Sequence, residues 1–318
     1  MLYELALTPE LFNKDNLKPR SFELVVMDIV FKEIGKNGIL ANLDNENWIK
    51  DVIGRLDELE PSVKDKFMKF LIHLKDYKRI ATYPSNEIKP INDLEWLKHT
   101  LRAHELTPFY SVISSLDDEK FKDSRLVLLE NLFDTSLWSE RKEEVDLFQS
   151  ESDYKLHLAP ILRHTKTLHL IDPYMSVESR FFTTLELCTS LLQKKSVKIH
   201  IHCSLPYDFM KGKKFNDRVK AYLKKWEEKI KTLISINNSR NDTYRICLWS
   251  RIKNQQKFHD RSIITDQCGI GVEGGLDVYD YSTKTTWHLL TPETIKRRRD
   301  DVTKGHSPYR LLGEKQIK

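Results

Sequence analysis

At 318 residues, with 40% hydrophobic and 31% charged side chains, the chain can bury one large core or two ordinary ones, and its composition excludes wholesale disorder. No apolar run approaches the roughly 18–20 residues that cross a bilayer. The opening, Met1 to Glu10, carries acidic residues rather than a basic segment ahead of an apolar one, so no secretory signal is expected. Cys188, Cys203, Cys247 and Cys268 are scattered, without C-x-x-C pairs or histidines at zinc-finger spacing, and read as reduced thiols of a cytoplasmic protein.

The net charge of +5 hides an asymmetry. Residues 1–150 hold 21 Lys and Arg against 28 Asp and Glu, a net of −7; residues 151–318 hold 31 against 19, a net of +12. A strongly basic half points to an anionic partner. Nucleic acid is the commonest such partner and an anionic membrane surface comes second; a merely solvated basic face is the third reading.

In chain order, the first half reads as mainly helical. Apolar residues at helical spacing run from Phe22 to Phe31, ending at Gly35 and Gly38. Trp48 to Leu56 repeats the pattern behind Asn45, and Val63 to Leu74 follows Pro61 and Ser62, a good helix start. Leu94 to Leu101 suggests another helix, while Phe109–Ile113 and Leu126–Leu129 fit either strands or buried helix segments. Such aromatic stripes form cores, and the default role for residues 1–150 is docking or regulation.

The polar stretch Glu140–Tyr154 marks a domain boundary, with residues 151–318 as the second domain. Thr167–Ile171 reads as a strand closed by Asp172 and Pro173, and Phe181–Leu192 as a helix. Val197 to Cys203 alternates apolar residues with Lys198, His200 and His202, the mark of a strand with one polar face. A basic helix follows from Phe215 to Ser235. Tyr244–Trp249 and Ser262–Thr265 then read as strands, with Gly269–Val272 a strand or a turn after them. Strands alternating with helices of this length predict an α/β sandwich around a mixed sheet.

The segment from Lys257 to Asp277 carries the chemistry. His259 and Arg261, two apart, project to one side of an extended chain. Asp266 ends the strand, and Gly269, Gly271, Gly274 and Gly275 let backbone amides approach an anion. A His, a guanidinium and exposed amides at a strand end make a phosphate cradle. His200 and His202 could line the site or ligate a metal, though a half-exposed strand face is the commoner reading. Between Lys211 and Lys231 stand nine basic residues against three acidic ones, with Lys213, Lys214, Arg218 and Lys225 as candidate nucleic-acid contacts. Tyr222 and Trp226 would either stack on bases or form the buried stripe of that helix. Arg297 and Arg298, in the run Lys296–Arg299, are further phosphate contacts, read as exposed.

His259-Asp-Arg261-Ser-Ile-Ile-Thr-Asp266 resembles the H-x-K-x4-D motif of the phospholipase D superfamily, with Arg in the Lys position. Gly274-Gly275-Leu276-Asp277 resembles its G-S-x-N segment, one residue late, and Ile171-Asp-Pro-Tyr174 resembles the end of its first strand. The H-D-R form with a downstream G-L-D is especially similar to the phospholipase D-like domain that follows MIT domains, a branch thought to bind phospholipids without hydrolysing them. The resemblance covers roughly residues 160–300. It implies a metal-independent phosphodiesterase, with no cofactor, working as a homodimer because only one motif is present. His259 would attack phosphorus, Arg261 would hold the non-bridging oxygens, and Asp266 would orient a ring or balance charge. Gly274, Gly275 and Asp277 would line the phosphate. A nuclease in a defence or DNA-processing system, alone or as a subunit of a larger complex, is the leading expectation. An inactive scaffold for phosphate-bearing ligands or partner proteins is the alternative, since Arg is longer and bidentate where Lys is a point donor, and Asp277 replaces a neutral Asn.

Overall fold

Several short apolar runs in the first half form strands rather than helix segments, and this changes its architecture. The computed structural model describes residues 1–318 apart from 85–88, 118–122, 178, 195, 206–213, 237–239, 252–257, 259, 280–281, 304 and 306, and the side chains of 179 and 251. The chain divides into two units, residues 2–142 and residues 143–318 with Met1. The junction lies inside the predicted boundary stretch, eight residues ahead of position 150, because residues 144–148 are already a strand of the second unit.

In the N-terminal unit the expected helices are present: α1 (Phe22–Asn37), α2 (Asn47–Leu56), α3 (Pro61–Asp76) and α4 (Asp93–Leu106), with a short α5 (Ser136–Ser139). They surround a parallel sheet that a mainly helical description misses. Strands β1 (Tyr3–Leu7), β2 (Gly38–Asn42), β3 (Ile80–Thr82), β4 (Ser111–Ser114) and β5 (Leu126–Leu128) lie in the order β3-β2-β1-β4-β5. Each neighbouring pair is parallel. All five residues of β2 are buried, as expected of a strand covered on both faces. Phe12 anchors the aromatic core, meeting Phe31, Trp48 and Phe67 edge-on at ring-centre distances of 5.9–6.0 Å.

Beyond β1 the carboxylate of Glu10 is buried, and its Oε1 accepts from Ser114 Oγ at 2.6 Å, from Ser115 N at 3.1 Å and from the Thr8 hydroxyl. Burial pushes this carboxyl above its ordinary range, against the pull of those hydrogen bonds. The unfolded carboxyl ionises first as pH rises, so the stability tied to neutral Glu10 is complete below about pH 4.5 and falls as pH climbs toward the folded value. Glu10→Gln is therefore expected to raise the thermal midpoint at pH 7 by a few degrees, with the gap over wild type closing near pH 4.5. Equal midpoints at pH 7 would show that the charge is compensated elsewhere.

The C-terminal unit is built on an eight-stranded mixed sheet, in the order β13-β9-β8-β7-β10-β11-β12-β6. Its strands are β6 (Glu144–Phe148), β7 (Thr167–Ile171), β8 (Lys198–Ser204), β9 (Thr243–Arg251), β10 (Ser262–Thr265), β11 (Gly269–Val272), β12 (Lys284–Leu289) and β13 (Tyr309–Ile317). β7, β8 and β9 run parallel, and every other neighbouring pair is antiparallel. Helices α6 (Glu151–Leu162), α7 (Ser179–Leu191), α8 (Phe215–Ile236) and α9 (Pro292–Asp301) accompany it. The α/β class and the mixed sheet agree with expectation. In α8 the stripe Val219, Tyr222, Leu223, Trp226, Ile230 and Leu233 is buried, so Tyr222 and Trp226 serve the core and present no ring to a base. No described helix is long and apolar enough to cross a membrane.

Candidate phosphate site

Asp172 follows the last residue of β7 and is fully buried. Its Oδ1 accepts the Tyr174 amide at 2.9 Å and its Oδ2 the Leu276 amide at 3.0 Å. The same Oδ1 stands 3.8 Å from Arg261 Nε, at the entrance to β10. One carboxylate thereby joins three segments that are remote in sequence. Burial pushes the Asp172 carboxyl upward, while the two amides and Arg261 pull it back.

The Arg261 guanidinium is one-quarter exposed. Its Nη1 donates to Glu273 O at 2.5 Å, and its plane lies over the Tyr174 ring at 5.0 Å. Nε is buried and has no hydrogen-bond partner among the described residues. His259, the proposed nucleophile, lies outside the described residues, as does Lys213.

The glycine loop departs from an open anion cradle. The Gly274 amide donates to Thr285 Oγ1 at 3.0 Å, and a Cβ there would stand 2.8 Å from the same oxygen. Gly274 is thus explained by packing, and its amide is already used. Gly275 has φ +108°, a conformation that favours glycine, and brings the chain round so that Leu276 reaches Asp172. Asp277 does not pair with Arg261. It stands 3.6 Å from Arg180 Nε, and its charge adds to burial in pushing the Tyr154 hydroxyl up.

Asp266 is not brought to this corner. Its Oδ1 accepts from Thr165 Oγ1 at 2.7 Å, Lys166 N at 2.9 Å and Thr167 N at 3.3 Å. Because β10 runs antiparallel to β7, the residue after β10 meets the start of β7, while Arg261 meets its end. Asp266 therefore fastens the turn into β7. Asp172 occupies the place beside Arg261 that sequence reasoning gave to Asp266. The signal for it was the Asp-Pro-Tyr ending of the strand.

The chain matches no protein-family model and no curated protein.

The basic candidates fall into an exposed group and an inward-turned one. Lys214, Lys225 and Arg297 are exposed and Arg218 is half-buried. Arg298 turns inward instead of facing solvent: its Nη1 donates to Arg261 O at 3.2 Å and its Nε stands 3.5 Å from Asp260 Oδ2. Arg299 likewise donates to Thr265 O at 3.0 Å. Both guanidiniums thus close on backbone carbonyls at the two ends of β10, the Arg261 carbonyl also accepting the Val272 amide at 3.1 Å.

A second cluster lies on the opposite side of the sheet from Leu168 and Leu170. His169 faces His200 across β7 and β8, and His202 stands two residues further along β8, opposite Ile171. The three rings are stacked, and one nitrogen from each falls within 4.8 Å of the others, close enough in principle to hold a cation. The hydrogen bonds are wired otherwise. Trp249 Nε1–H donates to His202 Nδ1 at 3.2 Å, so His202 Nε2 carries the proton and donates to His169 Nδ1 at 3.1 Å. A metal on His202 Nε2 would need a proton on Nδ1, directly opposite the Trp249 donor. Burial, then the neighbouring cationic and imidazole groups, holds His169 down at about 3 and His200 at about 4, and His202 well below the ordinary value. All three are neutral at pH 7. His169 escaped sequence reasoning because only the strand register puts it beside the H-x-H pair.

Proposed function

We propose that the C-terminal unit is a phospholipase D-like phosphodiesterase that cleaves nucleic acid without a metal. The support is one observation: Asp172 and Tyr174, Arg261, and the Gly275–Asp277 turn, which carry the resemblance, meet at one buried carboxylate although Asp172 and Leu276 are 104 positions apart. In this reading a ring nitrogen of His259 forms a bond to phosphorus as the leaving oxygen departs, protonated by His259 of a second copy. That second imidazole then takes a proton from water, which hydrolyses the phosphohistidine and restores both rings. Arg261 holds the non-bridging oxygens, and Asp172 fixes Arg261. A cytoplasmic nuclease of a defence or DNA-processing system, with residues 1–150 for regulation or docking, belongs to the same proposal.

One observation favours the second reading, an inactive phosphate-binding scaffold for nucleic acid, anionic lipid or a partner protein. Arg261 Nη1 is already committed to Glu273 O, and Asp172 and Asp277 bring two carboxylates to the same corner. The deciding experiment is cleavage of labelled single- and double-stranded DNA and RNA in EDTA. Wild type is expected to cut, and His259→Ala to lose about a thousandfold or more in rate. Salt-sensitive binding by both proteins with no cutting by either would move the assignment to the scaffold.

A further inference from the structure

Two tyrosines stand at the surface of this corner. Tyr174, two residues beyond Asp172, is 54% exposed even though its ring lies under the Arg261 guanidinium. Tyr279, two residues beyond Asp277, is 57% exposed, and the Arg180 guanidinium lies 5.8 Å over its ring. Their backbones are fixed. Tyr174 N–H is held by Asp172, Tyr279 N–H donates to Gln149 O at 2.8 Å, and Val278 N–H donates to Arg180 O at 3.3 Å. The chain of contacts Tyr174, Arg261, Asp172, Leu276, and then Asp277, Arg180, Tyr279 thus begins and ends on an exposed aromatic ring.

A phosphate alone requires donors and positive charge; it gives no reason to keep aromatic rings half in water beside each arginine. Nucleic acid supplies one, because guanidiniums bind its backbone while tyrosines stack on its bases. Bases in a duplex are already stacked on each other, so an aromatic rim selects unpaired strands. Surfaces that enter membranes carry larger apolar faces than a pair of hydroxylated rings.

We propose that Tyr174 and Tyr279 are base-stacking residues, and that the Arg261–Arg180 corner takes single-stranded nucleic acid in preference to a duplex or a lipid headgroup. The proposal rests on the phosphodiester reading above and names its substrate class. Arg261 and Arg180 contact the backbone, Asp172 and Asp277 hold the two guanidiniums in place, and the tyrosines accept bases from neighbouring nucleotides.

The test is equilibrium binding of the full chain, read by fluorescence anisotropy, to a labelled oligothymidylate, an abasic strand of the same length and a matching duplex, alongside sedimentation with phosphatidylserine-containing vesicles. Oligothymidylate is expected to bind at least tenfold tighter than the abasic strand. Tyr174→Ala and Tyr279→Ala should each weaken oligothymidylate binding about tenfold and leave the abasic strand unmoved, while the Phe variants bind as wild type. Equal affinity for thymidylate and abasic strands, a preference for duplex, or vesicle binding that falls in the same Ala variants would overturn the stacking assignment. Wild-type cutting in EDTA together with equal affinities would remove the stacking role alone. Neither binding nor cutting of any strand would remove both the stacking role and the phosphodiesterase.

Discussion

Asp172→Ala is expected to destabilise the full chain by about 3 kcal/mol and to weaken phosphate binding at the same time. The substitution strips the amides of Tyr174 and Leu276 of their acceptor and leaves Arg261 without its counter-charge, around a carboxylate that is itself fully buried. Asp172→Asn keeps one acceptor of nearly the same shape, so it should cost about half as much while still releasing Arg261. Urea denaturation gives the stability change, and titration with inorganic phosphate gives the binding change. A loss below about 1 kcal/mol would mean that the burial cost of the carboxylate, visible in its raised pKa, cancels most of what its bonds contribute. That outcome would leave Asp172 as a positioning group whose role is confined to the site.

The histidine stack sets the second large effect, in acid. An unfolded histidine takes up its proton near pH 6.5, whereas His200 resists until about 4 and His169 until about 3. Between those values the unfolded chain binds more protons than the folded one, so stability is whole above pH 6.5 and is lost as pH falls. A fall of at least about 3 kcal/mol between pH 7 and pH 4 is expected, on top of the ordinary carboxylate contribution. His169→Gln should flatten that fall, because it removes one proton-accepting ring and relieves the repulsion on His202. Denaturation curves for both proteins at a series of pH values make the comparison, and superimposable profiles would show that the rings protonate in place.

Helices of the N-terminal unit were legible because each carries its apolar face at a spacing that nothing else produces: Trp48, Val52 and Leu56 in α2, or Val63, Phe67, Leu71 and Leu74 in α3. The parallel sheet was not. Gly38 reads as the end of α1, and it is that, but it also begins β2 without an intervening loop. Leu126–Leu128 is three residues long, too short to show a period of either kind. A strand buried on both faces has no alternation to detect.

In the C-terminal unit β8 followed from the alternation of Ile199, Ile201 and Cys203 with His200 and His202. The choice of partners did not. Sequence spacing puts Asp266 five residues from Arg261, yet a strand of that length carries it to the far end of the sheet, while Asp172 arrives from a neighbouring strand. Arg298 shows the same limit: a run of basic residues reads as solvated until the fold sets a backbone carbonyl and the Asp260 carboxylate beside one of them.

Strand β6 has a practical consequence for anyone dividing the chain. It pairs with Lys284–His288 of β12, and its exposed residues include Glu144 and Asp146, charges that discourage a further strand from adding to the sheet. A fragment beginning at residue 151 would lack this guard. It would present Lys284–Leu289, with Trp287 among them, as an unprotected edge open to self-association. A fragment beginning at residue 143 keeps the acidic strand and should remain dispersed where the shorter one aggregates.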